Sequence, residues 1–330
     1  MSEFDDKPPG PPEQSSGPQD SSSGASETPS TPPEAPIAGD PINYVAAHPS
    51  AAHPLQLNLP EDLRISWSWP HLLLFFGFVV ISQVIIAIAA EGYYSAVRHL
   101  SQRQIQHLFE SDPRLIVATN VLGLALILLF LYVTLAALPD LPFWKSLGWK
   151  KLKSDPLAGK GQPWMYFVSG SGLSVFVILA SSRVKNAEHV PIQEMFKSRT
   201  GVMLLMSMAV LVAPLVEETI FRGYLYPVFA RIASGVAQFF GMDSPSAIRA
   251  GVVASILTTG LLFGLMHAPQ LGWTWGLVSL LTLVGVIFTF ARAWTGTVFA
   301  SFLLHLGYNS MLAFLTIIGT KGFTYLPPRP

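Results

Sequence analysis

Seven long apolar segments separated by short polar ones make up most of the chain after residue 60, and they decide what it can fold into. A run of ~20 mainly apolar residues is the length that crosses a bilayer as a helix. In lipid every backbone N–H and C=O must be satisfied within the protein, so such runs take helical form. Segments 72–90, 115–138 and the Ser/Gly-rich 165–181 come first. Segment 202–216 is apolar and runs into Glu217, with a helical pattern that continues to about residue 232. Segments 251–267, 275–290 and 297–318 complete a set of seven, with six or eight also open. The fold class read from this pattern is an all-α polytopic integral membrane protein with a disordered N-terminal tail.

Composition agrees. Half of the 330 residues are hydrophobic and 12% are charged, against ~25% charged in a usual globular chain. The formal net charge is zero, which gives no attraction for nucleic acid. There is no cysteine, which removes disulfides, thiolate metal sites and a thiol nucleophile together. Residues 1–60 are a different polymer, rich in Pro, Ser and Gly, acidic, and nearly free of large apolar side chains. Such a segment buries too little surface to offset its ordering entropy and reads as a disordered tail. It has no basic region followed by an apolar core, so it does not read as a cleavable signal peptide. The helical membrane domain is expected over 61–330.

All eight tryptophans (67, 69, 144, 149, 164, 273, 275 and 294) fall near predicted span ends, as in an interfacial belt. Orientation is not decided. Lys145, Lys150, Lys151, Lys153 and Lys160 share one loop, which would place that loop and the N-terminus in the cytoplasm. Arginines and lysines on the other side nearly cancel the bias.

Ionisable residues at membrane depth are costly and mark function. Three groups at helical spacing stand out: Glu217-Glu218 with Arg222, Phe263 with His267, and His305 with Asn309. Residues four apart share a helix face. Glu218 and Arg222 can therefore pair, leaving Glu217 on the neighbouring face with Phe221 and Tyr224. A carboxylate among apolar groups suits a general base, while a buried ion network at a helix end is the plainer alternative. His267, near a span end, reads on its own as interfacial more readily than catalytic. His305 and Asn309 can both donate hydrogen bonds, to a developing oxyanion or to a neighbouring helix as a polar clasp. Counting helix rise puts Glu217 and His267 at similar depth but leaves His305 out of level by ~10 Å. No HExxH metalloprotease helix, rhomboid Gly-x-Ser-Gly, presenilin Gly-x-Gly-Asp or phosphate-binding loop is present.

Glu217-Glu218-x-x-x-Arg222, Phe263-x-x-x-His267 and His305-x-x-x-Asn309, in that order, resemble the three motifs of the CAAX protease and bacteriocin-processing (CPBP, or Abi) family of intramembrane endopeptidases, relatives of the type II CAAX prenyl endopeptidase. The resemblance covers roughly residues 195–318. It implies water activated by Glu217 with His267, an oxyanion site of His305 and Asn309, and structural roles for Glu218, Arg222 and Phe263. It implies no cofactor under a glutamate mechanism, which is preferred. The alternative is zinc on Glu217, His267 and His305. The segment between the first two motifs is longer than the family leads one to expect, with the extra residues near 239–246 read as a loop. Expected partners are membrane lipid and a peptide or lipidated-protein substrate, prenylated or not, in a membrane taken as the bacterial cytoplasmic one. The competing readings are a non-catalytic immunity or scaffold protein of the same fold and, more remotely, a transporter. No internal repeat supports the latter.

Overall fold

The computed structural model describes residues 59–137, 139–153, 155, 161–185 and 190–326. The expected tail lies outside the described residues except for Leu59 and Pro60. The helices are α1 (Trp69–Ala96), α2 (Gln102–Ser111), α3 (Pro113–Ala137), α4 (Phe143–Ser146), α5 (Pro163–Ser181), α6 (Arg199–Phe239), α7 (Ser244–Met266), α8 (Trp275–Thr295) and α9 (Val298–Gly319). Seven of them are long and apolar enough to cross a membrane: α1, α3, α5, α6, α7, α8 and α9. The chain is an integral, multi-pass membrane protein.

Helix ends follow local chemistry. Pro163, Pro113 and Pro245 occupy first-turn positions, where a missing N–H costs nothing. Asp112 and Asp243 cap α3 and α7 by accepting from the Arg114 and Ser246 amides. Gly296, at φ +73°, ends α8 in the left-handed turn that glycine adopts without strain.

Glycine sets how closely the core helices approach. A Cβ at Gly170 on α5 would collide with the Leu304 carbonyl on α9, and one at Gly307 on α9 would collide with the Phe167 carbonyl on α5. The two backbones therefore touch, as small-residue crossings in membranes allow. Gly260 and Gly264 on α7 meet Val286 and Thr282 of α8 in the same way.

The tryptophans divide. Six are exposed as a belt would have them: Trp69, Trp144's ring, Trp164, Trp273, Trp275 and Trp294. Trp67 and Trp149 turn inward instead. Trp67 is 1% exposed, donates from Nε1 to the Tyr224 carbonyl at 3.2 Å and stacks on the Tyr224 ring. Trp149 donates from Nε1 to Thr219 Oγ1 at 3.1 Å. A buried indole needs a partner for its N–H, and α6 supplies one to each.

The hairpin of α6 and α7 is longer than predicted. Arg292, near the end of α8, lies over the Tyr226 ring, yet α6 continues from there to Phe239. The hairpin thus overshoots the α8–α9 turn by roughly 15 Å. The extra length near 239–246 is mostly helix, joined by a short connection through Gly241 at φ +90°. Phe239 and Phe240 at its tip are exposed.

Candidate functional site

Two prolines shape the helix that carries the glutamates. Pro214 and Pro227 lack an N–H, and each ring crowds the carbonyl four residues back. α6 responds with wide, π-type turns at Met208–Val212 and Thr219–Leu225, just upstream of each proline. Such turns are rare and recur at functional sites. Between them Ala213–Glu218 is ordinary α-helix. Glu217 and Glu218 therefore ride on a short segment with a widened turn at either end. Trp67 and Trp149 pin the second of those turns from outside.

Glu218 and Arg222 form a sealed network. Both side chains are 0% exposed, with Arg222 Nη1 donating to Glu218 Oε1 at 2.9 Å. Arg222 also donates from Nη2 to the Gly285 carbonyl at 2.8 Å and from Nε to Thr289 Oγ1 at 3.2 Å. Its guanidinium lies 4.8 Å from the Phe263 ring centroid and 5.3 Å from that of Phe288. Burying a charge this completely requires pairing and hydrogen bonding together. His305 completes the set, with Nδ1 2.9 Å from Glu218 Oε1. The Phe288 ring lies 5.0 Å from its imidazole.

Glu217 differs. It sits at the edge of the bundle interior. Its Oε2, like Glu218 Oε2, is buried without a hydrogen-bond partner, but unlike Glu218, Glu217 has no bond to its other oxygen either among the described residues. Glu217 Oε2 is 4.0 Å from His267 Nε2, too far for a direct hydrogen bond. His267 Nδ1 lies 2.8 Å from the Phe263 carbonyl. A carbonyl only accepts, so Nδ1 carries the proton, and in the neutral imidazole Nε2 presents its lone pair toward Glu217. His267, which alone would read as interfacial, is thus oriented toward Glu217. Phe263 supplies the carbonyl for His267 and the ring beneath Arg222, and so touches both halves of the site.

The ~10 Å depth offset expected for His305 is absent. The count assumed that the α6–α7 and α8–α9 turns lie level, and the overshooting hairpin breaks that assumption. Val298 N donates to the Gly148 carbonyl at 3.0 Å, and Thr297 Oγ1 donates to the Lys150 carbonyl at 2.6 Å. These bonds fix where α9 begins. Asn309 Nδ2 donates at 2.7 Å to the Ala209 carbonyl in the first wide turn. Glu217, His267 and His305, the set considered for zinc, do not form a three-ligand cluster, and no other group of His, Asp and Glu does so among the described residues. His305 Nδ1 is committed to Glu218.

The motifs did not disclose the groups that hold Arg222. Thr289 lies one turn after Gly285, and both are buried on α8. That i, i+4 pairing of a glycine and a threonine inside an apolar run was the available signal. A cavity of about 760 Å³ opens beside the site, lined in part by Phe109, Ile116, Ile192, Met208, Pro269 and Gln270.

A helical membrane protein with paired glutamates, two histidines and an arginine gathered inside its bundle belongs to the class of polytopic proteins with an intramembrane polar site. Residues 199–311 match the family described as Type II CAAX prenyl endopeptidase Rce1-like. The matched stretch runs from the first residue of α6 to just past Asn309. No curated protein and no solved structure matches the chain.

Proposed function

We propose that this protein is an intramembrane endopeptidase in which Glu217 and His267 activate a water molecule. The observation that carries the reading is the pairing of an unpartnered, buried Glu217 Oε2 with a His267 Nε2 held 4.0 Å away in a defined tautomer. A polar gap of that width suits one bridging water. Glu217 takes the proton of that water, and the hydroxide adds to the carbonyl carbon of the scissile amide. His267 Nε2 accepts the second hydrogen and fixes the direction of attack. Glu217 then returns the proton to the departing nitrogen as the C–N bond breaks, leaving a carboxylic acid and an amine. General base catalysis of this kind contributes about 10²–10⁴-fold.

His305 is the donor placed to receive the oxyanion. Its Nδ1 is engaged by Glu218, so Nε2 is the ring atom left to face the developing oxyanion. Glu218 and Arg222 hold that ring in place. The mechanism is metal-free, in keeping with donors that do not gather around one point. The substrate class is a membrane-associated peptide, with a C-terminal prenylated cysteine as the family-level candidate. The proposed location is the bacterial cytoplasmic membrane.

The test is cleavage of quenched fluorescent peptides, prenylated and plain, by the detergent-purified protein. Wild type, Glu217→Gln and His267→Ala are compared with and without a chelator. Cleavage by wild type that both substitutions abolish and the chelator leaves intact is expected. Loss of cleavage on chelation would reject the metal-free mechanism. Cleavage retained by Glu217→Gln would reject Glu217 as the base.

A further inference from the structure

The Ala209 carbonyl loses its helical partner because of Pro214. In the wide turn Met208–Val212, the Ala213 amide bonds to the Met208 carbonyl, five residues back. It is therefore not available to Ala209 in the ordinary four-residue pattern. The next amide in reach belongs to residue 214, and proline has none. Ala209 is only partly exposed, in a segment long and apolar enough to span lipid. There water does not serve as a substitute partner, and an unsatisfied carbonyl is costly. Asn309 Nδ2 fills the gap at 2.7 Å, from α9, one hundred residues away in sequence.

We infer that Asn309 is a positioning residue: its side-chain amide stands in for the N–H that Pro214 lacks and so holds Glu217 in register with His267. The geometry links the two. Ala209 lies in the wide turn directly before the segment Ala213–Glu218. Asn309 lies one helical turn after His305, which bonds to Glu218 at the other end of that segment. α9 therefore grips the glutamate segment at both ends, by a carbonyl at its start and a carboxylate at its finish. Without the first grip the turn can slip toward the ordinary helical register. A slip of one residue turns the downstream face by ~100°, enough to carry Glu217 away from His267. Nδ2 has two hydrogens, so the bond to Ala209 does not by itself exclude a second bond to substrate. A rescue experiment separates these roles.

The experiment uses the full chain in detergent, and its activity arm rests on the peptidase reading above. Asn309→Leu removes the donor at similar volume. Pro214→Ala added to it restores a backbone N–H next to the orphaned carbonyl. Hydrogen exchange of the segment 208–218 and cleavage of the fluorescent peptides are measured in wild type, the single variant and the double variant. Asn309→Leu is expected to raise exchange about tenfold or more and to lower kcat with little change in KM. The double variant is expected to recover both. Exchange that does not rise in Asn309→Leu, or that stays raised in the double variant, would overturn the inference. Exchange that recovers while cleavage stays lost would also overturn it, and would place the Asn309 amide on the substrate. If wild type cleaves no peptide, the peptidase reading fails alone, and the exchange pair still decides this one.

Discussion

Glu217 and Glu218 are neighbours on one helix and are treated in opposite ways. Glu218 is fully enclosed, and its Oε1 is shared by Arg222 and His305. Glu217 keeps a buried oxygen without a partner and faces a histidine across a gap. The angular step of a helix is what allows this. Adjacent side chains diverge by ~100°, so one carboxylate points into the bundle and the other toward its edge. Glu218 also keeps a buried Oε2 without a partner, but its Oε1 is held by Arg222 and His305 together. Neither oxygen of Glu217 accepts a hydrogen bond among the described residues, which leaves Glu217 the freer of the two to take a proton from water. The contrast separates the residue that holds the site from the residue proposed to act in it.

That separation can be broken at either end. The largest expected effect is that of Glu217→Gln on cleavage, a fall of about 10²–10⁴-fold, with thermal stability in detergent unchanged or slightly raised. A comparable loss of stability in the melting curve would show that Glu217 is structural too. Next comes Arg222→Ala, which strands the Glu218 carboxylate inside the bundle. Breaking a buried pair costs about 3–5 kcal/mol, so the variant should melt far below wild type or fail to fold. A normal melting curve would mean that the network is dispensable. Trp67→Phe is milder. It keeps an aromatic ring beside Tyr224 but deletes the donor to the Tyr224 carbonyl and leaves part of the indole's buried volume empty, at a cost of about 1–3 kcal/mol, and it should reduce stability more than catalysis. The smallest effect is at the surface, where Lys150 pairs with Glu61 at 2.7 Å. The hydrogen bond and charge of Lys150 hold the Glu61 carboxyl below its ordinary value of 4.5. A lowered carboxyl pKa contributes stability above that value and loses it as pH falls through the folded-state value. Lys150→Gln should therefore melt slightly below wild type at neutral pH, and the difference should fade as pH drops below 4.5.

The sequence disclosed the spans because hydrophobic length is a direct physical requirement of the bilayer. It disclosed the motif residues because charge at depth is expensive enough to stand out. It did not show which partner each residue meets. That depends on where helices start and stop relative to one another, and the overshooting α6–α7 hairpin spoiled an estimate built on level turns. Pro214 and Pro227 were the local clue that α6 is not uniform. Their effect is visible only once the Ala209 carbonyl is seen bonded to Asn309. Trp67 and Trp149 look like belt residues in sequence, since nothing local reveals that their N–H groups have partners on α6.

The glycine contact between α5 and α9 bears on traffic. Two backbones that touch at Gly170 and Gly307 leave no slot for an extended peptide. Prising them apart would strip packing that no lipid tail can replace at such close range. A chain arriving sideways from the bilayer therefore finds that flank shut. The opening beside Met208 and Pro269, which borders both the first wide turn and the loop after His267, is the flank that the proposed peptidase would use to admit it.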